Sequence, residues 1–495
     1  MTPTARHILA GAIVMLLSHP GLGFAEPDLR LVDAVKSQHH GAVQTLLQDG
    51  VDVSAAQPDG TTALHWAVYW NAHETVDLLI DAGAGINAVN DFGATPLWTA
   101  CTEGRADMIG RLLEAGADPN VALRLGETPL MTAVRTGNVD AVELLLTGGA
   151  DPNAREQSRG QTALMWAVSQ GHHGVARLLL ARGADVSARS SVRPMLVNAG
   201  EDGLTRRFDD FTDLIREAQG GFTPLLFAVR RDDVTSAEML LEAGAHVDEV
   251  TPMGATALVL ATHSGHWETA SFLLDHGADP NADGGGYTAL HTAILRNNPD
   301  FVDRLLDSGA DPDIRITQAT PWRRFSHDVA IDPSWAGGTS YWLAAKLGNV
   351  NFMRTLMAAG SDPHALSSDG STALIAAAAG ARRVRQRPQA AERQALEAVT
   401  LALEFGVEIN INAVDDMGET AVHIAAARRL NEVVEFLASH DAHLDLQSHE
   451  GQTPLALASQ DFSGLTVVQL SYQRHRPTRQ DESTADLLRS LGAAN

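Results

Sequence analysis

The stretch Gly126–Ala154, GETPLMTAVRTGNVDAVELLLTGGADPNA, decides the fold of this chain. It opens with a turn and a helix start, because Thr128 is a good N-cap residue and Pro129 suits the first helical position. Apolar residues then recur at helical spacing in two short segments, which end at Gly137 and at Gly148. Helices this short are marginal alone in water, so the unit must bury its apolar stripes against something like itself.

The chain contains many copies of this unit. The Gly-x-Thr start recurs at residues 60, 93, 160, 221, 254, 286, 337, 370, 418 and 451, most often 33 residues apart. A period of 33 with starts such as GATPL and endings such as GADPN resembles the ankyrin repeat. The resemblance implies an all-α solenoid of about twelve β-hairpin and helix-loop-helix units, arranged as a single elongated array with loop insertions.

The intervals between starts predict how the array is divided. Intervals of 61, 51 and 48 residues exceed the period and indicate insertions, the last of them between the two helices of one repeat. In the first insertion, Leu204–Ala218 has the spacing of a short amphipathic helix within an elaborated hairpin. The predicted segments are a signal peptide at 1–25, a degenerate capping repeat at 26–57, ankyrin repeats at 58–188, an insertion at 189–220, repeats at 221–314, an insertion at 315–336, repeats at 337–459 with the inter-helix insertion 380–394, and a stretched C-terminal capping repeat at 460–495.

The first 25 residues have the composition of a secretory signal. Arg6 precedes the apolar run Ile8–Leu17, and small residues before Glu26 predict cleavage after Ala25. The run is too short to span a bilayer. The alternative to a signal peptide is a buried N-terminal helix. The single cysteine, Cys101, permits no intramolecular disulfide and is expected in the core. These features predict a periplasmic or secreted bacterial protein with no transmembrane segment in its mature chain.

Composition and motifs argue against catalysis. The formal net charge of −25 disfavours nucleic-acid binding. The sequence has no P-loop, no GxSxG elbow, no HExxH, no CxxC and no EF-hand loop, so neither an enzyme nor a cofactor is expected. A hydrolase site in the insertion 189–220 is a remote alternative, because that segment contains aspartates but no histidine or cysteine.

Histidines invite a metal interpretation that the repeat pattern explains better. His263 and His266 lie near His276 and His291, but no acid or cysteine completes a ligand set. The resemblance assigns His291 a structural role, shared by His65 and His423, in which it ties neighbouring turns together. The aspartates of the GADPN turns are likewise explained by the repeated turn, and no metal site is predicted.

The resemblance places the last turn of each first helix on the concave face, where a protein partner would bind. Tyr69 and Trp70 are two adjacent aromatics at such an end and are predicted to anchor a partner, with capping of the N-terminal repeats as the alternative. Cations recur at the equivalent ends, where they contact a partner or complement the helix dipole. These cations are Lys36, Arg135, Arg230, Arg231, Arg296, Lys346 and Arg428.

The insertions supply further candidates. A joint basic patch is predicted for an anionic ligand, with solvated loops as the alternative; its residues are Arg382, Arg383, Arg385, Arg387, Arg474 and Arg476. Trp322 and Trp335 could bind a glycan or form a hydrophobic plug. The sequence thus predicts a monomeric, non-enzymatic scaffold for protein–protein interaction, with a glycan-binding or anionic-ligand-binding module as the alternative.

Overall fold

The structure is a computed structural model that describes residues 28–198, 214–318, 331–379, 388–406, 410–459 and 483–494. The predicted signal peptide, residues 1–25, lies outside these ranges. The chain divides into two compact units, Met1–Ser158 and Arg159–Asn495.

The first unit consists of helix pairs, in which a helix of six or seven residues is followed by one of nine. First helices pack on first helices, and second helices pack on second helices. The predicted pair in 126–154 is confirmed. The bounds are α1 Arg30–Lys36, α2 His40–Gln48, α3 Ala63–Tyr69, α4 His73–Asp81, α5 Pro96–Thr102, α6 Ala106–Glu114, α7 Pro129–Val134 and α8 Val139–Thr147.

The second unit repeats the same alternation, so the predicted helical-repeat architecture is confirmed within each unit. It also contains a 3-10 turn, Pro333–Trp335, and two strands, β1 Arg193–Asn198 and β2 Leu214–Gln219. Its helices are α9 Ala163–Gln170, α10 His173–Ala181, α11 Pro224–Arg230, α12 Val234–Glu242, α13 Ala257–Ser264, α14 Trp267–Asp275, α15 Ala289–Leu295, α16 Pro299–Asp307, α17 Ser340–Lys346, α18 Val350–Ala358, α19 Ala373–Ala378, α20 Pro388–Phe405, α21 Ala421–Arg428, α22 Asn431–Ser439, α23 Pro454–Ser459 and α24 Thr484–Ser490.

Threonine N-caps start the first helices as the sequence predicts. The Thr95 hydroxyl accepts the amide of Trp98 at 3.0 Å, and Thr128 caps α7 in the same way. The apolar stripe that follows is fully buried, as Leu97 and Leu130 show. Each cap satisfies an amide that has no partner within its helix, and each buried leucine joins a core shared by adjacent repeats.

The turns between repeats are held by side chains that bond to backbone. The Asn120 side chain accepts the amide of Asp151 at 2.9 Å and donates to the Gly149 carbonyl at 3.0 Å. In the second unit, Asn281 makes the equivalent bonds to Asp311 and Gly309. The polar GADPN endings therefore connect consecutive repeats, which explains their recurrence without a metal.

The three TPLH-type histidines are buried at helix starts. His65 Nδ1 accepts the Thr62 amide, and its Nε2 lies 3.0 Å from the Ala94 carbonyl of the next repeat. His423 makes the same pair of contacts. The predicted tie between turns is thus confirmed for these two. His291 makes the same Nδ1 contact, with the Thr288 amide at 3.1 Å, but its buried Nε2 lies near the Ile314 backbone without a well-formed hydrogen bond among the described residues.

The structure describes parts of two inserted segments, and one of them differs from the sequence prediction. The amphipathic helix expected over Leu204–Ala218 is wrong for residues 214–218, because β2 pairs antiparallel with β1 in the register Arg193↔Gln219 to Asn198↔Leu214. The elaborated hairpin expected to contain this helix agrees with that pairing. Within the inter-helix insertion predicted at 380–394, the residues from Pro388 onward are helical and belong to α20. None of the described helices combines the length and the hydropathy that a membrane span requires.

Candidate functional site

The predicted binding residues that the structure describes lie mostly at the ends of first helices. In the first unit, Tyr69 ends α3 and Trp70 follows it, while Arg135 follows α7. In the second unit, the equivalent ends are occupied by Arg230 and Arg231 at α11, by Arg296 at α15 and by Lys346 at α17. Each unit therefore presents its own row of helix ends.

Trp66, Tyr69 and Trp70, here called the aromatic cluster, form an edge-to-face series. The ring centroids of Trp66 and Tyr69 are 5.7 Å apart, and those of Tyr69 and Trp70 are 4.9 Å apart. This arrangement is favourable because the positive edge of one ring meets the negative face of the next. Tyr69 remains 53% exposed and Trp70 42% exposed, whereas Trp66 is half-buried. The cluster is an ordered apolar surface that solvent reaches.

The neighbouring repeat leaves the aromatic cluster uncovered. Arg105 Nη1 donates to the Val68 carbonyl at 3.0 Å and to the Tyr69 carbonyl at 2.9 Å, so it satisfies the polar end of α3. The positions one period after Tyr69 and Trp70 are Thr102 and Glu103, which are themselves exposed. Arg105 thus satisfies the carbonyls at this helix end, while both rings stay exposed to solvent.

Two of the predicted binding cations contact the preceding repeat. Arg231 Nη1 donates to the Ser169 carbonyl at 2.7 Å, and the Arg296 guanidinium donates to the His263 carbonyl. Both acceptors lie at the C-terminal end of a first helix, where carbonyls lack partners and a cation is favourable. Stabilisation of a helix end therefore accounts for the positions of both side chains, and their contact with a partner stays a prediction.

The remaining helix-end cations differ in their surroundings. Arg135 Nη1 lies 3.4 Å from a carboxylate oxygen of Glu127, and the Arg230 guanidinium lies 5.3 Å from the ring centroid of Phe222. Both arginines are exposed. Their positions allow contact with a partner.

Lys346 is half-buried, and its ammonium lies 5.5 Å from the ring centroid of Trp342. Burial, followed by the charge of Arg428, lowers the pKa of Lys346 to about 8, although nearby aspartates oppose the shift. Lys346 is therefore partly uncharged under mildly alkaline conditions, unlike the permanently charged arginines in the same row.

Several predicted residues lie outside the described ranges. They are Trp322, Arg382, Arg383, Arg385, Arg387, Arg474 and Arg476. Trp335 ends the 3-10 turn and is half-buried, and its carbonyl accepts the Gly338 amide at 3.1 Å. The joint basic patch and the glycan site stay predictions.

Other chemistry-bearing residues have structural surroundings. The described residues contain no group of three or more His, Cys, Asp or Glu side chains arranged to hold a metal ion. His266 Nδ1 lies 2.8 Å from the Val229 carbonyl of the preceding repeat. Cys101 is buried in the core, as predicted, and this burial raises the pKa of its thiol, which makes the thiolate scarce.

In each unit, the first and second helices differ in charge, and this difference extends beyond the cationic helix ends noted in the sequence. Among the described first helices, α1 to α23 in odd numbers, the only acidic residue is Asp33, beside the cations Arg30, Lys36, Arg230, Lys346 and Arg428. Most of the described second helices contain acids, for example Glu74, Asp77 and Asp81 in α4, whereas α2, α10 and α18 contain none. The described first helices of each unit thus lack the negative charge that the chain carries overall.

Exposed apolar residues at two turn tips were also missed. Phe92 is 70% exposed and Leu125 is 63% exposed. Adjacent tips are joined by backbone bonds, since the Arg124 amide donates to the Phe92 carbonyl at 3.3 Å. The sequence signal for these two residues was an apolar side chain directly before the glycine of the turn tip. The preceding copy has Asp59 at the same position.

A family model described as ankyrin repeats (3 copies) matches residues 31–123, 118–190, 225–316 and 389–481. These segments cover well over half of the chain and include both units. A solved structure, the ankyrin repeat domain of human ASB11, matches with 26% identity and a TM-score of 0.39, over 50% of this chain and 98% of that one.

Curated relatives match parts of the chain. The E3 ubiquitin-protein ligase KEG of Arabidopsis thaliana is 28% identical over 291 residues, 47% of this chain and 18% of that protein. The B-cell lymphoma 3 protein homolog of Mus musculus is 36% identical over 255 residues, 50% of each protein. Human ankyrin repeat and SOCS box protein 6 is 26% identical over 295 residues, 50% of this chain and 64% of that protein. The chain spans less than two thirds of each of these relatives.

Proposed function

The chain belongs to the ankyrin-repeat family, and from this premise we propose that it is a non-enzymatic scaffold that binds a protein partner through the first-helix face of its first unit. Ankyrin repeats serve as protein–protein interaction scaffolds. The ligase activity in the name of the plant relative belongs to that protein, of which the aligned part is 18%. The proposal assigns no reaction to this chain.

The exposed aromatic cluster is the observation that carries the proposal. Tyrosine and tryptophan dominate the binding energy of many interfaces, because they bury a large area with few rotatable bonds. Tyr69 and Trp70 are held in place by their mutual edge-to-face contact, so little side-chain entropy is lost on binding. The adjacent helix end is already capped by Arg105. The cluster is thus available to a partner.

Replacing Trp70 with alanine is expected to weaken partner capture strongly. Loss of a central aromatic costs about 2 kcal/mol, which is roughly a thirtyfold rise in Kd. The measurement is cross-linking capture from the native compartment, followed by Kd determination for the captured proteins. Val139→Ala is the matched control, because Val139 is 38% exposed but lies in the second helix α8. If Trp70→Ala captures the same proteins with unchanged Kd, the proposed face is wrong.

We further propose a periplasmic or extracellular location in a bacterium. The support is the sequence of residues 1–25, in which a cation precedes a short apolar run and a small-residue cleavage site. Expression of the full chain in a bacterial host should give an exported protein whose N-terminal residue is Glu26. Recovery of the uncleaved chain from the cytoplasm would contradict the proposal.

A further inference from the structure

Lys36 extends the aromatic cluster with a cation. It is the last residue of α1 and is exposed, and its ammonium lies 4.8 Å from the ring centroid of Trp66. A cation at this distance from a tryptophan face is attracted by the ring quadrupole. Within the described ranges, no carboxylate forms a salt bridge with Lys36. The ammonium is thus oriented by the ring while its charge is not neutralised by an acid.

The surroundings of Lys36 favour an anionic partner group. The first helices α3, α5 and α7 contain no acidic residue, and the Arg105 guanidinium lies against the end of α3. Two exposed acids accompany these helices, Asp33 in α1 and Glu103 directly after α5, and neither forms a salt bridge with Lys36 among the described residues. The acids of this unit lie instead largely on its second helices and its turns, as Asp77 and Asp118 illustrate. A partner cation at this face would meet Lys36 and Arg105 as like charges, whereas a partner carboxylate would meet opposite charges.

We propose that Lys36 and the aromatic cluster together bind an acidic peptide segment, in which a carboxylate meets Lys36 and a neighbouring large apolar side chain lies on Tyr69 and Trp70. This inference rests on the proposed function and names the chemistry of its partner. The aromatic contact supplies most of the affinity, and the charge contact selects acidic over neutral or basic segments. Because the chain is strongly acidic overall, the segment must be short enough to meet this face without approaching the second helices.

The test begins with a displayed library of random peptides selected on the full chain. Selected peptides should be enriched in Asp or Glu beside an aromatic or large aliphatic residue. For a synthetic copy of the most enriched peptide, Lys36→Glu should raise Kd about tenfold, because the reversal replaces attraction with repulsion. Lys36→Gln should raise it by roughly threefold. The charge-reversal effect should shrink at high ionic strength.

Arg177→Glu is the matched control, because Arg177 is an exposed cation on the second helix α10. It should leave Kd unchanged, and all variants should keep the thermal unfolding of the parent chain. Peptides that require Trp70 but show no acidic enrichment, or that tolerate Lys36→Glu, would overturn this inference and leave the proposed function standing. Peptides that tolerate Trp70→Ala, or a selection without binders, would count against both.

Discussion

Gly254→Ala is expected to lower the free energy of unfolding of its repeat by about 4 kcal/mol. Gly254 sits at a turn tip with φ +83°, a left-handed conformation that costs an alanine about 1 kcal/mol. A Cβ at this position would also overlap the carbonyl oxygen and carbon of Gly284. Both obstacles are backbone, so no side chain can rotate away to relieve them.

Gly277→Ala separates the cost of the left-handed conformation from the cost of the steric overlap. Gly277 has φ +84°, but a Cβ built there meets nothing within 4 Å, so only the conformational cost of about 1 kcal/mol remains. Because a repeat contacts mainly its neighbours, the effect should concentrate in α13 to α16. Hydrogen exchange of these helices measures it directly. Equal losses of protection in the two variants would show that the close approach of the Gly254 and Gly284 turns adds no destabilisation to an alanine at position 254.

Acid is expected to destabilise the second unit through His291. Its imidazole is fully buried, and burial lowers its pKa to about 4 from an ordinary value near 6.5. Between these two values the unfolded chain binds the proton and the native chain does not, so the free energy of unfolding falls as pH falls. The contribution lost between about pH 6.5 and pH 4 is about 3 kcal/mol.

His291→Gln should remove this part of the pH dependence, since glutamine does not titrate in this range. The measurement is the free energy of unfolding by urea as a function of pH, compared between parent and variant. His440→Gln is the control, because His440 is exposed. A parent and a His291→Gln variant with parallel pH profiles would show that His291 is protonated equally in both states.

Most of the fold could be predicted from the sequence because it is local and repeated. Thr128, Pro129 and the glycines of one unit specify a helix pair, and the period shows where its copies lie. The failure at 214–218 has a different origin. The spacing there suits a helix, but pairing with Arg193–Asn198 overrides the local pattern, and no period reports such pairing.

The site was only partly predictable. The position of Tyr69 and Trp70 at a helix end follows from the repeat. The roles of Arg231 and Arg296 cannot be predicted from the repeat, because a long side chain can point toward a partner or back toward a carbonyl of the preceding repeat. The contact of Lys36 with Trp66 also depends on such reach, since the two residues are 30 positions apart.

The most direct test of the interaction face is hydrogen exchange of the full chain with and without a saturating selected peptide. Binding at the proposed face should slow exchange in α3, from Ala63 to Tyr69, and at the end of α1. The second helices α4 and α6 should exchange at unchanged rates. Protection confined to α4 and α6, with none in α3, would contradict the account.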